Sequence, residues 1–311
     1  MAKKNNDPAA KKRKGADVST VRKAKHGGLL TAIFAIISIV WISPVLIVLL
    51  NSFKRKAYIF RNPFGLSTVS ITKGWDKWTA GVKKTFVGLL NYTNAIKKTN
   101  FFRSFGYSLF ITVGSVLLIV LCCSMCAWYI TRVKNLATQG IYLLCLFSMI
   151  VPFQMVMFTL SKFANMLHLS NPLGIIIVYL GFGAGLAVFM FTGFVKSISI
   201  EIEEAAMIDG CTPIQTYFQV VLPIMKPTVV TVAILDAMWI WNDYLLPALV
   251  LNVNKYKTIP IAVQFLKQSH GQIDWGAMMA VLVLAIVPII VFYLIAQKYI
   301  IEGVMAGAVK G

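Results

Sequence analysis

Six long apolar stretches, parted by short polar ones, organise this chain of 311 residues. They cover residues 29–50, 108–130, 140–160, 172–194, 228–251 and 275–295. A helix needs about 20 such residues to cross the hydrocarbon core of a bilayer, and each stretch has that length. Alternation of period two is absent, so the pattern does not predict a β-barrel. Helices are then the remaining way to satisfy the backbone in lipid. The expectation is an all-α, polytopic membrane protein with six transmembrane helices. A hydrophobic content of 58% and a mean hydropathy of +0.75 fit that class and exclude an ordinary soluble domain.

The polar segment 199–227, between the fourth and fifth stretches, carries four of the chain's eleven acids: Glu201, Glu203, Glu204 and Asp209. Its local chemistry predicts two short helices joined by a sharp turn. Ser199 can cap a helix start, and Glu201 and Glu203 fall in its first turn, where the helix dipole favours anions. Ala205 and Ala206 keep one face small, and Gly210 supplies a left-handed stop. Thr212-Pro213-Ile214-Gln215 then restarts a helix with a capping box and proline at the first helical position. Pro223 and Pro227 lead back into the membrane. By capping alone, such a loop either joins two spans or is built to be touched by a partner.

Charge bears on orientation. The first stretch follows a basic tail with Lys3, Lys4, Lys11, Lys12, Arg13, Lys14, Arg22, Lys23 and Lys25. The stretch is too long for a signal-peptide core and lacks a cleavage site, so it reads as an uncleaved anchor. The tail reads as a disordered orientation signal that also favours anionic membrane lipid, rather than as a nucleic-acid-binding arm. Six spans then put both termini in the cytoplasm of a multi-pass cell-membrane protein. Loop 51–106 strains this assignment, because it would lie outside with eleven Lys and Arg against Asp76. The charge rule weakens for loops near that length. Cys122, Cys123, Cys126, Cys145 and Cys211 give no disulfide or zinc framework, and His26, His168 and His270 have no metal spacing. No P-loop is present, so no ATP site of that kind is expected in this chain.

The order Glu204-Ala-Ala-Met-Ile-Asp-Gly210, followed by Leu222-Pro-Ile-Met-Lys-Pro227, resembles the EAA loop of ABC importer permeases, where a separate ATPase delivers its push. Further words resemble the carbohydrate-uptake, maltose-type branch: Asn51-Ser-Phe-Lys54, Asn91-Tyr92, Phe105-Gly-Tyr-Ser-Leu109, Trp241-Asn-Asp-Tyr-Leu-Leu-Pro247, Thr258-Ile-Pro-Ile-Ala-Val263, Trp275-Gly276 and the ending Gly303–Gly311. The likeness covers residues 29–311. It departs at Ser199, where the family often has Pro, and at Cys211, which replaces a common Ala. It implies the type I importer fold and a permease subunit of an ATP-driven, binding-protein-dependent sugar importer, not an enzyme, forming half of the translocation path. Glu204, Ala205, Ala206, Asp209, Gly210, Leu222 and Pro223 would couple to the ATPase. Implied partners are a second homologous permease, two ATPase subunits or domains that bind ATP and Mg, and an extracytoplasmic sugar-binding protein. The layout would be a basic cytoplasmic tail (1–28), first helix and extracytoplasmic loop (29–104), transmembrane core (105–298) and cytoplasmic C-terminal tail (299–311).

Within the fifth stretch, Asp236 and Asp243 are seven residues apart, nearly on one helix face. A carboxylate inside a span is a functional candidate by default. Trp239, Trp241, Asn242 and Tyr244 surround the pair, and carboxylates, amides and aromatic faces suit a sugar path. Hydrogen bonding between helices is the alternative use. Gly181-Phe-Gly-Ala-Gly185 permits close helix approach, within this chain or to a partner. Pro44, Pro152, Pro247 and Pro288 fall inside stretches, as kinks or hinges. A non-sugar ABC importer, an ion-coupled secondary transporter using the two aspartates, and a membrane-bound sensor or scaffold remain the other readings.

Overall fold

A computed structural model describes residues 27–268 and 273–308. The basic tail up to His26, His270 and the last three residues of the C-terminal ending lie outside the described residues. Residues up to Ile47 form one unit and residues from Val48 a second. Helix α1 (Gly27–Ser52), with Pro44 inside it, supplies the described part of the first unit up to Ile47 and the start of the second from Val48. Its most apolar 18-residue window buries none of its residues.

The second unit begins with three short helices, α2 (Lys56–Arg61), α3 (Trp75–Thr85) and α4 (Leu90–Thr99). They are followed by α5 (Phe101–Arg132), α6 (Leu136–Ile150), α7 (Phe153–Met166) and α8 (Pro172–Val195). The polar loop holds α9 (Ile200–Ile208), α10 (Pro213–Thr216), a π-helical turn (Tyr217–Val221) and α11 (Leu222–Ile224). Then come α12 (Lys226–Asn242), α13 (Leu245–Val250), α14 (Ile259–Gln268) and α15 (Trp275–Ala308). α15 thus continues as helix through most of the segment expected as a tail.

Among the described residues, four helices are long and apolar enough to cross a membrane unbroken: Gly28–Ser52, Phe101–Arg132, Pro172–Val195 and Trp275–Tyr299. Two bent pairs make up to six spans, α6 with α7 at 109° and Pro213–Ile224 with α12 at 77°. Two of the six apolar stretches are not single rods. Stretch 140–160 breaks at Val151-Pro152, both extended (ψ 116° and 133°), because a residue before proline is driven out of the helical region. Stretch 228–251 breaks at Asp243, also extended (ψ 124°). The Asp243 carboxylate accepts from the Leu245 and Leu246 amides, and Pro247 has no N–H to bond the Asp243 carbonyl.

One apolar core joins α5, α8, α12 and α13 through Ile119, Tyr179, Val188, Phe191, Ile240 and Leu246. A second joins α4, α14 and α15 through Ala95, Ile259, Val263, Ala277 and Val281. Gly183 lets α8 approach α5, since a Cβ there would meet Ile119, and Gly185 does the same towards α6. Gly181 has open space. The small-residue face thus packs within the chain, through Gly183 and Gly185 rather than the i, i+4 pair.

The scattered sequence words assemble into joints. Asn91 donates to the Ser52 and Lys54 carbonyls, Tyr92 and Ser52 hydroxyls meet at 2.7 Å, and Gly276 leaves room for Asn91. Lys54 is buried and donates its Nζ to the carbonyls of Asn62 and Pro63. Burial lowers its pKa. Ser108 accepts from the Ile259 amide, and the Phe105 ring lies edge-on to Trp241.

Candidate functional site

The loop between α8 and α12 is a preformed ridge. Ser199 accepts from the Glu201 amide at the start of α9, and Glu201 and Glu203 occupy its first turn. Gly210, at φ +92°, turns the chain after α9, a region that disfavours side chains. Thr212 and Gln215 make the reciprocal capping box that starts α10, with Pro213 in its first turn. Pro223 opens α11 and Pro227 opens α12, where the chain swings into the fifth stretch. Glu204, Ala205, Asp209 and Gly210 are exposed, Ala206 and Leu222 half-buried and Pro223 exposed. Apolar side chains stand among these acids: Ile208 is 86% exposed, and Met207, Ile214 and Phe218 are also exposed. Sequence reasoning singled out the small and acidic positions and passed over these. The signal available was an isoleucine next to Asp209-Gly210 at a helix end, where no core can follow.

One glutamate differs from its neighbours. Glu203 is buried, and its Oε1 accepts from Arg132 Nε (3.0 Å) and Nη2 (2.7 Å), while Oε2 accepts from Trp128 Nε1 (2.9 Å). Arg132 and Trp128 lie in the last turns of α5, far away in sequence.

The six residues expected along a sugar path do not stay together. Trp239 and Asp243 turn towards α8. Tyr179 donates to Asp243 Oδ2 at 3.0 Å, and its ring lies edge-on to Trp239. Asp236 is buried, and its Oδ2 has no hydrogen-bond partner among the described residues. Trp241, Asn242 and Tyr244 instead line a cleft of about 310 Å³ closed by Pro260, Gln264 and Ile289 of α14 and α15. Gln264 was not anticipated. A larger cavity of about 480 Å³ between α5, α12 and α15 is almost wholly apolar and does not include Asp236. Among the described residues no group of three His, Cys, Asp or Glu is placed to hold a metal.

Comparison with known proteins adds a lineage. Residues 119–305 match the family described as binding-protein-dependent transport system inner membrane component. The chain is 38% identical over 282 residues to a probable starch degradation products transport system permease protein, AmyC, of Thermoanaerobacterium thermosulfurigenes, covering 91% of this chain and 96% of that one. It is 36% identical over 212 residues to the multiple sugar-binding transport system permease protein MsmG of Streptococcus mutans, covering 66% and 76%. It is 30% identical over 284 residues to the arabinooligosaccharides transport system permease protein AraQ of Halalkalibacterium halodurans, covering 91% and 96%. A crystal structure of a bacterial ABC transporter involved in the import of the acidic polysaccharide alginate shares the fold at a TM-score of 0.68 and 20% identity, over 89% of this chain and 98% of that one.

Proposed function

This chain belongs to the family of binding-protein-dependent transport system inner membrane components, a family of transport subunits rather than enzymes, and from that premise we propose its cargo and mechanism. The cargo is a sugar or oligosaccharide, a reading that the sugar-transport relatives support. A second, homologous permease completes the path. Two ATPase subunits or domains hold ATP and Mg, and a binding protein delivers the sugar from outside. Both termini of this chain lie in the cytoplasm, with the ridge 200–224.

The observation that carries this reading is the ridge itself, capped at both helices and presenting Ile208 and Met207 beside Glu204 and Asp209. Exposed apolar side chains ringed by polar ones mark a docking surface. ATP binding closes the ATPases, the ridge moves with them, and the spans shift from inward-open to outward-open. In free-energy terms, the ATPase biases a two-state equilibrium through contacts that differ between the states. On the path, Trp241 and Tyr244 offer ring faces to sugar C–H surfaces, and Asn242 and Gln264 offer amides to hydroxyls.

Single cysteines test the arrangement in the assembled transporter. A cysteine replacing Ile208 should cross-link to the ATPase, and one replacing Thr79 should react with an impermeant reagent added outside. No cross-link from Ile208 in a complex that contains the ATPase would overturn the docking surface. Protection of the Thr79 position would overturn the orientation.

A further inference from the structure

Glu201, Glu203 and Glu204 look alike in sequence, yet only Glu203 is buried. Burying a carboxylate is costly unless donors replace its water, and Glu203 has three, two from Arg132 and one from Trp128. Arg132 Nη2 also donates to the Ile198 carbonyl at 3.0 Å, in the turn between α8 and α9. The planar guanidinium thus ties the last turn of α5, the exit from α8 and the first turn of α9 into one body. The other limb of the loop is held to the same helix. Tyr217, fully buried at the start of the π-helical turn, meets Ser124 hydroxyl to hydroxyl at 2.6 Å and packs its ring 5.5 Å from Trp128. Ser124, Trp128 and Arg132 recur every four residues and therefore form one stripe along α5.

We propose that this stripe and Glu203 form the joint that delivers movement of the loop to α5, making Glu203, Arg132 and Trp128 positioning residues for transport. The joint rests on the reading of 200–224 as the ATPase-facing ridge. Covalent continuity alone would send the movement into α12, through the 77° bend at Met225. The side-chain contacts send it into α5 instead, which packs along α8 in the main core. α9 cannot tilt without carrying α5, because tilting would strip donors from a buried charge. Glu204, one residue on, is exposed and remains available to the ATPase.

The test is the ratio of ATP hydrolysed to sugar transported, in the purified four-component complex reconstituted with its binding protein. Glu203→Gln keeps the shape and an acceptor for Trp128 but removes the ion pair. Trp128→Phe keeps the ring against Tyr217 and removes the Nε1 donor, and it serves if Glu203→Gln does not assemble. Both should raise the ATP:sugar ratio, with Glu203→Gln raising it about fivefold or more, the lower range of coupling between sites. Spin labels at Thr131 and Met207 should keep one separation in the nucleotide-free and ATP-trapped wild type, and two separations in Glu203→Gln. Arg132→Lys should restore part of the coupling relative to Arg132→Gln. Wild-type ratios in both Glu203→Gln and Trp128→Phe would overturn the joint. That failure is distinct from a failure of the ridge reading, which the Ile208 cross-link reports by itself.

Discussion

Glu203 and Asp236 are equally hidden, each 2% exposed, and they sit in opposite situations. Glu203 lies at the end of the bundle with both oxygens occupied by Trp128 and Arg132. Asp236 lies in the middle of α12 with an oxygen that finds no partner among the described residues. Burial alone therefore does not say what a carboxylate is for. A carboxylate matched on both oxygens, by an arginine on one and an indole on the other, is a rigid joint whose partners depend on it. One left unmatched is a local cost, which its surroundings tolerate and do not use for stability.

The sharpest break of this comparison is to unmatch Glu203. Arg132→Ala leaves the carboxylate buried with only Trp128, and breaking one side of a buried pair costs about 3–5 kcal/mol. Glu203→Ala together with Arg132→Ala should recover much of that loss, since both charges then leave together. Unfolding of the purified subunit in detergent measures both. If the double variant is no more stable than Arg132→Ala, the pair is not a unit.

The converse holds for Asp236. Asp236→Asn keeps the shape and exchanges one unmatched polar group for another, so the stability change should stay within about 1 kcal/mol, in either direction. Uptake normalised to assembled complex should also be unchanged, because Asp236 is buried and does not line the cleft of Trp241, Asn242 and Tyr244. Asn242→Ala should instead alter selectivity or rate. A large change in normalised uptake with Asp236→Asn would return Asp236 to the sugar path and undo the contrast.

What the sequence made legible follows the range of the interactions. The caps at Ser199, Thr212 and Gln215 and the left-handed Gly210 are contacts within four residues, and each is present. The face shared by Asp236 and Asp243 was also a local inference. The side to which that face turns depends on Tyr179 and α8, over sixty residues away, and no periodicity in α12 records it. Glu203 stayed hidden for the same reason: its partner Arg132 is 71 residues distant. The breaks at Pro152 and Asp243 were half legible. The prolines announced kinks, but only the bonds of the Leu245 and Leu246 amides to the Asp243 carboxylate turn the second kink into a separate helix. The words Asn51-Ser-Phe-Lys54, Asn91-Tyr92 and Trp275-Gly276 were read as signatures; the first two prove to be one hydrogen-bonded joint, and Gly276 leaves room for its Asn91.

A third carboxylate closes the comparison with the smallest effect. Asp274 is paired with Lys98, but their side chains are 29% and 51% exposed. Burial pushes its pKa up, yet the Lys98 hydrogen bond, the Ala277 amide, and the charges of Lys98 and Lys56 outweigh that and hold it below the usual carboxylate value. A carboxylate with a depressed folded pKa adds stability above its unfolded pKa of about 3.9, and that stability is lost as pH falls through the folded value. Exposure limits the ion pair to about 0–1 kcal/mol, and salt screens it further. Asp274 Oδ1 also accepts from the Ala277 amide in the first turn of α15, a cap worth about 1 kcal/mol. Asp274→Ala loses both contributions, whereas Asp274→Asn keeps an acceptor for Ala277 and Lys98→Gln keeps the cap entirely. The expected order of destabilisation at pH 7 is Asp274→Ala, then Asp274→Asn, then Lys98→Gln. The Lys98→Gln deficit should shrink in high salt and vanish as Asp274 becomes protonated. A Lys98→Gln deficit as large as that of Arg132→Ala, unaffected by salt, would mean that a wet pair holds as firmly as a buried one, and the distinction drawn between these carboxylates would fail.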